Sequence, residues 1–164
     1  MSSRKLDLAG ATHGLGMLDP DVAADLDGGE TIIRVRVPSR ADRLRLVRTL
    51  VSEAAFANGC SDRCARDMVI AVDEACQNVI RHAYAGAPDG EISLEIRRSG
   101  DRLVFSLVDF GAPVDVDAVK PRALDEVRPG GLGTHFITEC MDEAGFCPPP
   151  AGAGNCLWMA KKIE

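Results

Sequence analysis

Two short segments near the middle of the chain restrict its fold more than any other feature. Ile92, Leu94 and Ile96 alternate with polar residues, and after Ser99-Gly100-Asp101 the same period returns as Leu103, Phe105 and Leu107. A period of two places one face of each segment in a core, and a short Gly-containing connection joins them as an antiparallel hairpin. A third segment, with Ile33, Val35 and Val37 set between Arg34 and Arg36, predicts another half-buried strand that begins at Thr31 and ends at Pro38-Ser39.

The other periodic segments are helical. Ser39 is placed as an N-cap, with Asp42 three residues on, and Leu44, Val47, Leu50, Val51, Ala54 and Ala55 form a stripe closed by Asn58-Gly59. Ser61 can cap a second helix with Ala65, Met68, Val69, Val72, Ala75, Cys76 and Val79 on its apolar side, fading near Tyr84-Ala85-Gly86. Residues 110–131 have little period and read as a long irregular lid or binding loop. A short helix is expected from Leu132 to Glu143, with Phe136, Ile137, Cys140 and Met141 inward, and a last strand from Cys156 to Ile163. The expected class is α+β: a two-layer α/β sandwich with a mostly antiparallel sheet and helices on one face. A parallel nucleotide-binding fold would need more strand–helix–strand alternation. Residues 1–30, rich in Gly, Asp and Ala without a period, read as a flexible N-terminal arm, leaving 31–164 as the folded domain.

A chain of 164 residues can bury one sizeable core. Its formal charge of −6 and pI near 5.1 argue against a general nucleic-acid-binding role. No stretch is long and apolar enough to span a membrane, so the cytoplasm is the expected compartment. The six cysteines contain no CxxC pair, and with three histidines they form no zinc pattern, so they are read as reduced and structural.

Three segments could carry chemistry. In the second helix Glu74, Asn78 and Arg81 point within roughly 60° of one another, away from the apolar face. Such a face can offer a base and a metal ligand to a bound phosphate, although solvated helix faces share the pattern. Asp109-Phe110-Gly111-Ala112-Pro113 follows a buried strand. An aspartate there can accept a hydrogen bond from an exocyclic amine such as that of adenine, and Gly111 lets backbone approach a flat ring. Pro129-Gly130-Gly131-Leu132-Gly133-Thr134 opens the third helix, where free N–H groups and the helix dipole suit phosphates. It is neither a P-loop nor a dinucleotide fingerprint.

In this order, the three segments resemble those of the Bergerat-fold ATPases of the GHKL superfamily, and within it the bacterial anti-sigma-factor serine/threonine kinases. Glu74…Asn78 looks like the N box, Asp109-Phe-Gly like the first glycine box, and Gly130-Gly-Leu-Gly like the second. Arg34-Val-Arg-Val-Pro-Ser and Asn155-Cys-Leu-Trp-Met-Ala-Lys are similar to the family's edges, so the resemblance covers about residues 31–163. It implies ATP and Mg²⁺, with Glu74 as general base, Asn78 as the metal ligand and Asp109 reading adenine. By the same resemblance Gly111, Gly130, Gly131, Leu132, Gly133 and Thr134 would close around nucleotide, with Arg81 and Arg128 on its polar side. Its partners would be a STAS-domain anti-sigma antagonist, phosphorylated on Ser or Thr, and a sigma factor held by partner switching. No direct contact with nucleic acid or membrane is implied, and a homodimer is compatible with the family. Three departures bear on lid closure and turnover: Pro113 replaces a second glycine, the lid lacks the long loop of sensor kinases, and Thr134-His135 follows the second box where apolar residues are commoner. The alternative reading is a nucleotide-gated anti-sigma or adaptor module with little catalysis.

Overall fold

The computed structural model describes residues 15–116 and 133–164. Its elements are α1 (Pro20–Leu26), β1 (Glu30–Pro38), α2 (Leu44–Ala57), α3 (Asp62–Asn78), β2 (Glu91–Ser99), β3 (Arg102–Asp109), α4 (Gly133–Cys140), β4 (Glu143–Cys147) and β5 (Asn155–Lys162). The five strands form one sheet in the order β1-β2-β3-β5-β4, and every neighbouring pair is antiparallel. The hairpin alternation fixes the register. Leu94 stands opposite Leu107 and Ile96 opposite Phe105, and all four are buried.

The inner face of the sheet packs on α2, α3 and α4. Met68, Val72 and Cys76 of α3, Val47 and Val51 of α2 and Ile137 of α4 meet Ile96, Phe105, Leu157 and Met159 in one core. Ser61 caps α3 as expected, its Oγ accepting the Cys64 N–H at 3.3 Å. Asn58 and Gly59 end α2, the glycine at φ 90°. Lys161 ties the layers together: its ammonium donates to the Cys140 carbonyl at 2.8 Å and lies 3.4 Å from Asp67. This holds the C-terminal end of α4 near the start of α3. α4 packs against α3, and its eight residues span about 12 Å.

Five expectations need correction. Residues 15–30 are not a loose arm on the described chain: Leu15 and Leu26 are 2% and 1% exposed. The main chain of residues 16–18 pairs with the edge of β4, Leu18 N–H donating to the Phe146 carbonyl at 2.8 Å. Helices therefore do not lie on one face alone. On the outer face Leu18, Val22 and Leu26 cover Val104, Trp158 and Ala160, and Arg97 donates to the Asp27 carbonyl at 2.7 Å. The Arg97 guanidinium also stacks 4.9 Å over the Trp158 ring. An apolar spacing of four residues in a seven-residue helix is too short to stand out from an Asp- and Gly-rich background.

The third helix ends at Cys140, not Glu143, because the chain turns at Met141-Asp142 to enter β4. That strand was missed because an interior glycine and only five residues give no clear period. Phe136 is 45% exposed; Ile137 takes the inward position. Ser39 does not cap α2, since a 3₁₀ turn over Ala41–Arg43 intervenes and the buried Ser39 Oγ has no partner among the described residues.

All six cysteines are free thiols. Burial pushes Cys60 and Cys76 up to about 12, so both stay protonated and act as small apolar side chains. No described helix is long and apolar enough to cross a membrane.

Because α1 buries a leucine against the sheet, Leu26→Ala should lower unfolding free energy by about 2–5 kcal/mol in urea titration. A change below about 0.5 kcal/mol, the range of an ordinary surface substitution, would show that α1 is loosely held.

Candidate active site

The helix α3 delivers Glu74 and Asn78 to one end of the molecule. Its buried face is set by Cys64, Ala65, Met68, Ala71, Val72, Ala75 and Cys76, which leaves both polar residues on the half-exposed side. Glu74 Oε2 is buried and has no hydrogen-bond partner among the described residues. An orphaned carboxylate oxygen is costly and marks a place where a ligand or reacting group belongs. The Asn78 carboxamide likewise makes no hydrogen bond to another described residue.

Directly after Asn78 the helix widens into a π turn over Val79–Ala83, with Tyr84 N–H donating to the Val79 carbonyl at 3.1 Å. A π turn rotates the chain less per residue than the roughly 100° of an α-helix. Arg81, at the middle of this turn, donates to Gln77 Oε1, four residues back. Gln77 in turn donates to Asp73 at 2.8 Å, and Asp73 accepts from Arg48 at 2.8 Å. The Arg81 guanidinium is thus engaged by Gln77 here.

Asp109 closes β3 at the same end and is 2% exposed. Burial pushes its carboxyl above the ordinary aspartate range, and hydrogen bonds from Asn155 and the Gly111 backbone pull it part of the way back. Both bonds land on Oδ1, at 3.0 Å each, and Oδ2 accepts none among the described residues. Asn155 is a hub. Its Nδ2 also donates to the Ala112 carbonyl at 2.9 Å, and its Oδ1 accepts the Val114 N–H at 2.8 Å.

Two glycines let the main chains close on one another here. A Cβ on Gly111 would collide with the Ala83 carbonyl, and one on Gly154 with the Gly111 carbonyl. In the space this leaves, Ala112 N–H donates to the Ala83 carbonyl at 2.8 Å and Gly154 N–H to the Asp109 carbonyl at 2.8 Å. The loop bearing Asp109 and Gly111 is thereby locked to the π turn that follows Asn78.

Of the other sequence candidates, Gly133 and Thr134 open α4. Arg128, Gly130, Gly131 and Leu132 lie outside the described residues, as does most of the expected lid. Sequence reading did not single out Asn155, Gly154 or Tyr84 as site residues. A signal existed for Asn155: it shares the inward period of Leu157 and Met159, and a polar residue there needs a buried partner.

A model of the histidine kinase-like ATPase domain matches residues 37–161. The chain belongs to that family. The serine-protein kinase RsbW of Bacillus subtilis is 30% identical over 119 residues, covering 68% of this chain and 74% of that one. RsbW of Listeria innocua is 33% identical over 119 residues, 68% and 76% of the two chains. RsbW of Bacillus pumilus is 29% identical over 143 residues, 81% and 86%. With these relatives the enzyme class is that of a serine/threonine protein kinase. Among solved structures, the RsbU and RsbW domains of Rv1364c from Mycobacterium tuberculosis share the fold at a TM-score of 0.57 and 17% identity. The match covers 80% of this chain and spans 31% of that one.

The raised Asp109 gives a pH signature. Between the ordinary aspartate value and its raised native value, the folded state binds more protons than the unfolded state, so stability falls as pH rises through that window. Asp109→Asn removes the buried charge. It should gain stability relative to wild type at pH 7 and lose that advantage below the ordinary carboxylate range, in chemical denaturation at both pH values. An Asn variant less stable at pH 7 than at pH 3, relative to wild type, would contradict this assignment.

Proposed function

We propose that the chain binds Mg-ATP at the end of α3 and transfers the terminal phosphoryl group to a Ser or Thr of a STAS-type anti-sigma antagonist. In this reading it also holds a sigma factor and releases it by partner switching, in the cytoplasm. The observation that carries the reading is the unpartnered buried oxygen of Glu74, one helical turn from an unengaged Asn78, in a family of ATPases.

The residues present fit such a ligand. Asp109 Oδ2 would accept the exocyclic amine of adenine, beside the close-packed backbones of Gly111 and Gly154. Asn78 would supply a carboxamide oxygen to Mg²⁺, which when bound neutralises phosphate charge. The first turn of α4, with Gly133 and Thr134, would face the phosphates with unpaired N–H groups, helped by Gly130, Gly131, Leu132 and Arg128. Glu74 would take the proton of the incoming hydroxyl as its oxygen attacks the terminal phosphorus and ADP departs. Phosphoryl transfer depends chiefly on position and charge neutralisation, so few residues suffice.

Two variants separate binding from chemistry. Asn78→Ala should abolish Mg²⁺-dependent ATP binding in calorimetry. Glu74→Gln should bind ATP within a few-fold of wild type yet transfer phosphate to an antagonist about 10²–10⁴-fold more slowly. Unchanged transfer by Glu74→Gln would remove Glu74 as the base. ATP binding without labelled partner, in wild type, would favour a nucleotide-gated module instead.

A further inference from the structure

Tyr84 is the only tyrosine in the chain and takes no part in the chemistry above. Its hydroxyl uses its whole hydrogen-bonding capacity, one donor and two acceptor sites. It donates to the Glu91 carbonyl at 2.7 Å, accepts the Glu91 N–H at 3.2 Å and accepts the Phe110 N–H at 2.9 Å. The π turn brings it there: the helix ends at Ala83, and Ala85 and Gly86 reverse the chain at φ 49° and 79°. Gly90 lies flat against the ring, where a Cβ would stand 2.6 Å from its carbons. One side chain therefore joins the end of the Glu74–Asn78 helix to the first residue of β2 and to the residue next to Asp109.

We propose that Tyr84 is a positioning residue for base recognition, its hydroxyl holding the Phe110 main chain so that Asp109 Oδ2 is aimed at the amine of adenine. This rests on the reading of the site as an ATP site. The Glu91 bonds alone would make Tyr84 a brace for the start of β2. The Phe110 bond adds a consequence a brace would lack. Asp109 is anchored through its Oδ1 by Asn155 and Gly111, and its carbonyl accepts the Gly154 N–H at 2.8 Å, which leaves the N–H side of the Asp109–Phe110 peptide to be held. Phe110 N–H is the donor of that peptide, and only the Tyr84 hydroxyl engages it among the described residues. Without that bond, a nucleotide that uses Asp109 must immobilise the N–H side of that peptide on binding; one that cannot use Asp109 loses nothing.

The test compares ATP with inosine triphosphate, in which a carbonyl replaces the exocyclic amine. Calorimetry on wild type and Tyr84→Phe should show wild type preferring ATP. In the variant ATP should weaken roughly three- to tenfold, the scale of one hydrogen bond, and inosine triphosphate less than twofold. Phosphorylation at saturating ATP should keep its kcat while KM rises. Equal weakening of both nucleotides, or of neither, overturns the role of Tyr84 and leaves the ATP site standing. A wild type that does not discriminate overturns the adenine reading of Asp109 and this proposal with it. A second measurement needs no variant. Exchange of the Phe110 amide in wild type should slow with ATP and stay unchanged with inosine triphosphate; equal slowing with both overturns the proposal.

Discussion

An almost wholly buried carboxylate at the end of β3 is the interaction around which this molecule is arranged. Asp109 is expensive to keep ionised at 2% exposure, and burial raises its pKa for that reason. Three features hold it in place. Asn155 on the neighbouring strand satisfies one of its oxygens. Gly111 and Gly154 remove the side chains that would keep the surrounding backbones apart. The π turn after Asn78 lowers the Ala83 carbonyl onto the Ala112 N–H. Each sits at a sheet or helix terminus, so the β3–β5 register and the end of α3 are fixed by the same few bonds.

The remainder of the fold makes those termini rigid. The inner core clamps α3 so that its buried stripe dictates where Glu74 and Asn78 emerge. Lys161 sets the C-terminal end of α4, and α4 packs against α3. The outer face, closed by α1 and the Arg97–Trp158 stack, keeps β3 and β5 from bending away from the site. The buried unpartnered oxygen of Glu74 and the positive φ of Ala85 both lie at the functional end, where binding energy can be recovered from a ligand.

Much of this was legible in the sequence because the relevant signals are periodic or local. Alternation at 92–96 and 103–107 gave the hairpin register, and the stripe from Ala65 to Cys76 gave the face of α3. The order of the Glu/Asn helix, Asp-Phe-Gly and the Gly-rich helix start gave the family. What was hidden depends on contacts distant in sequence or on departures from regular geometry. The π turn over Val79–Ala83 is a departure from α-helical geometry that no residue spacing announced. The α1 segment had no local period long enough to declare itself, and only its docking on Val104, Trp158 and Ala160 gives it form. Asn155 and Tyr84 matter through partners 46 and 26 residues away, which no pattern in a single chain records.

The most direct measurement is a titration of the ¹⁵N-labelled protein with Mg-ATP, followed by amide chemical shifts. The account predicts that Gly111, Ala112, Val114, the Asn155 side-chain amide and the first residues of α4 move together, while Pro20–Leu26 neighbours on the outer face stay still. Shifts confined to the outer face, or none at saturating nucleotide, would contradict a nucleotide site at the end of α3.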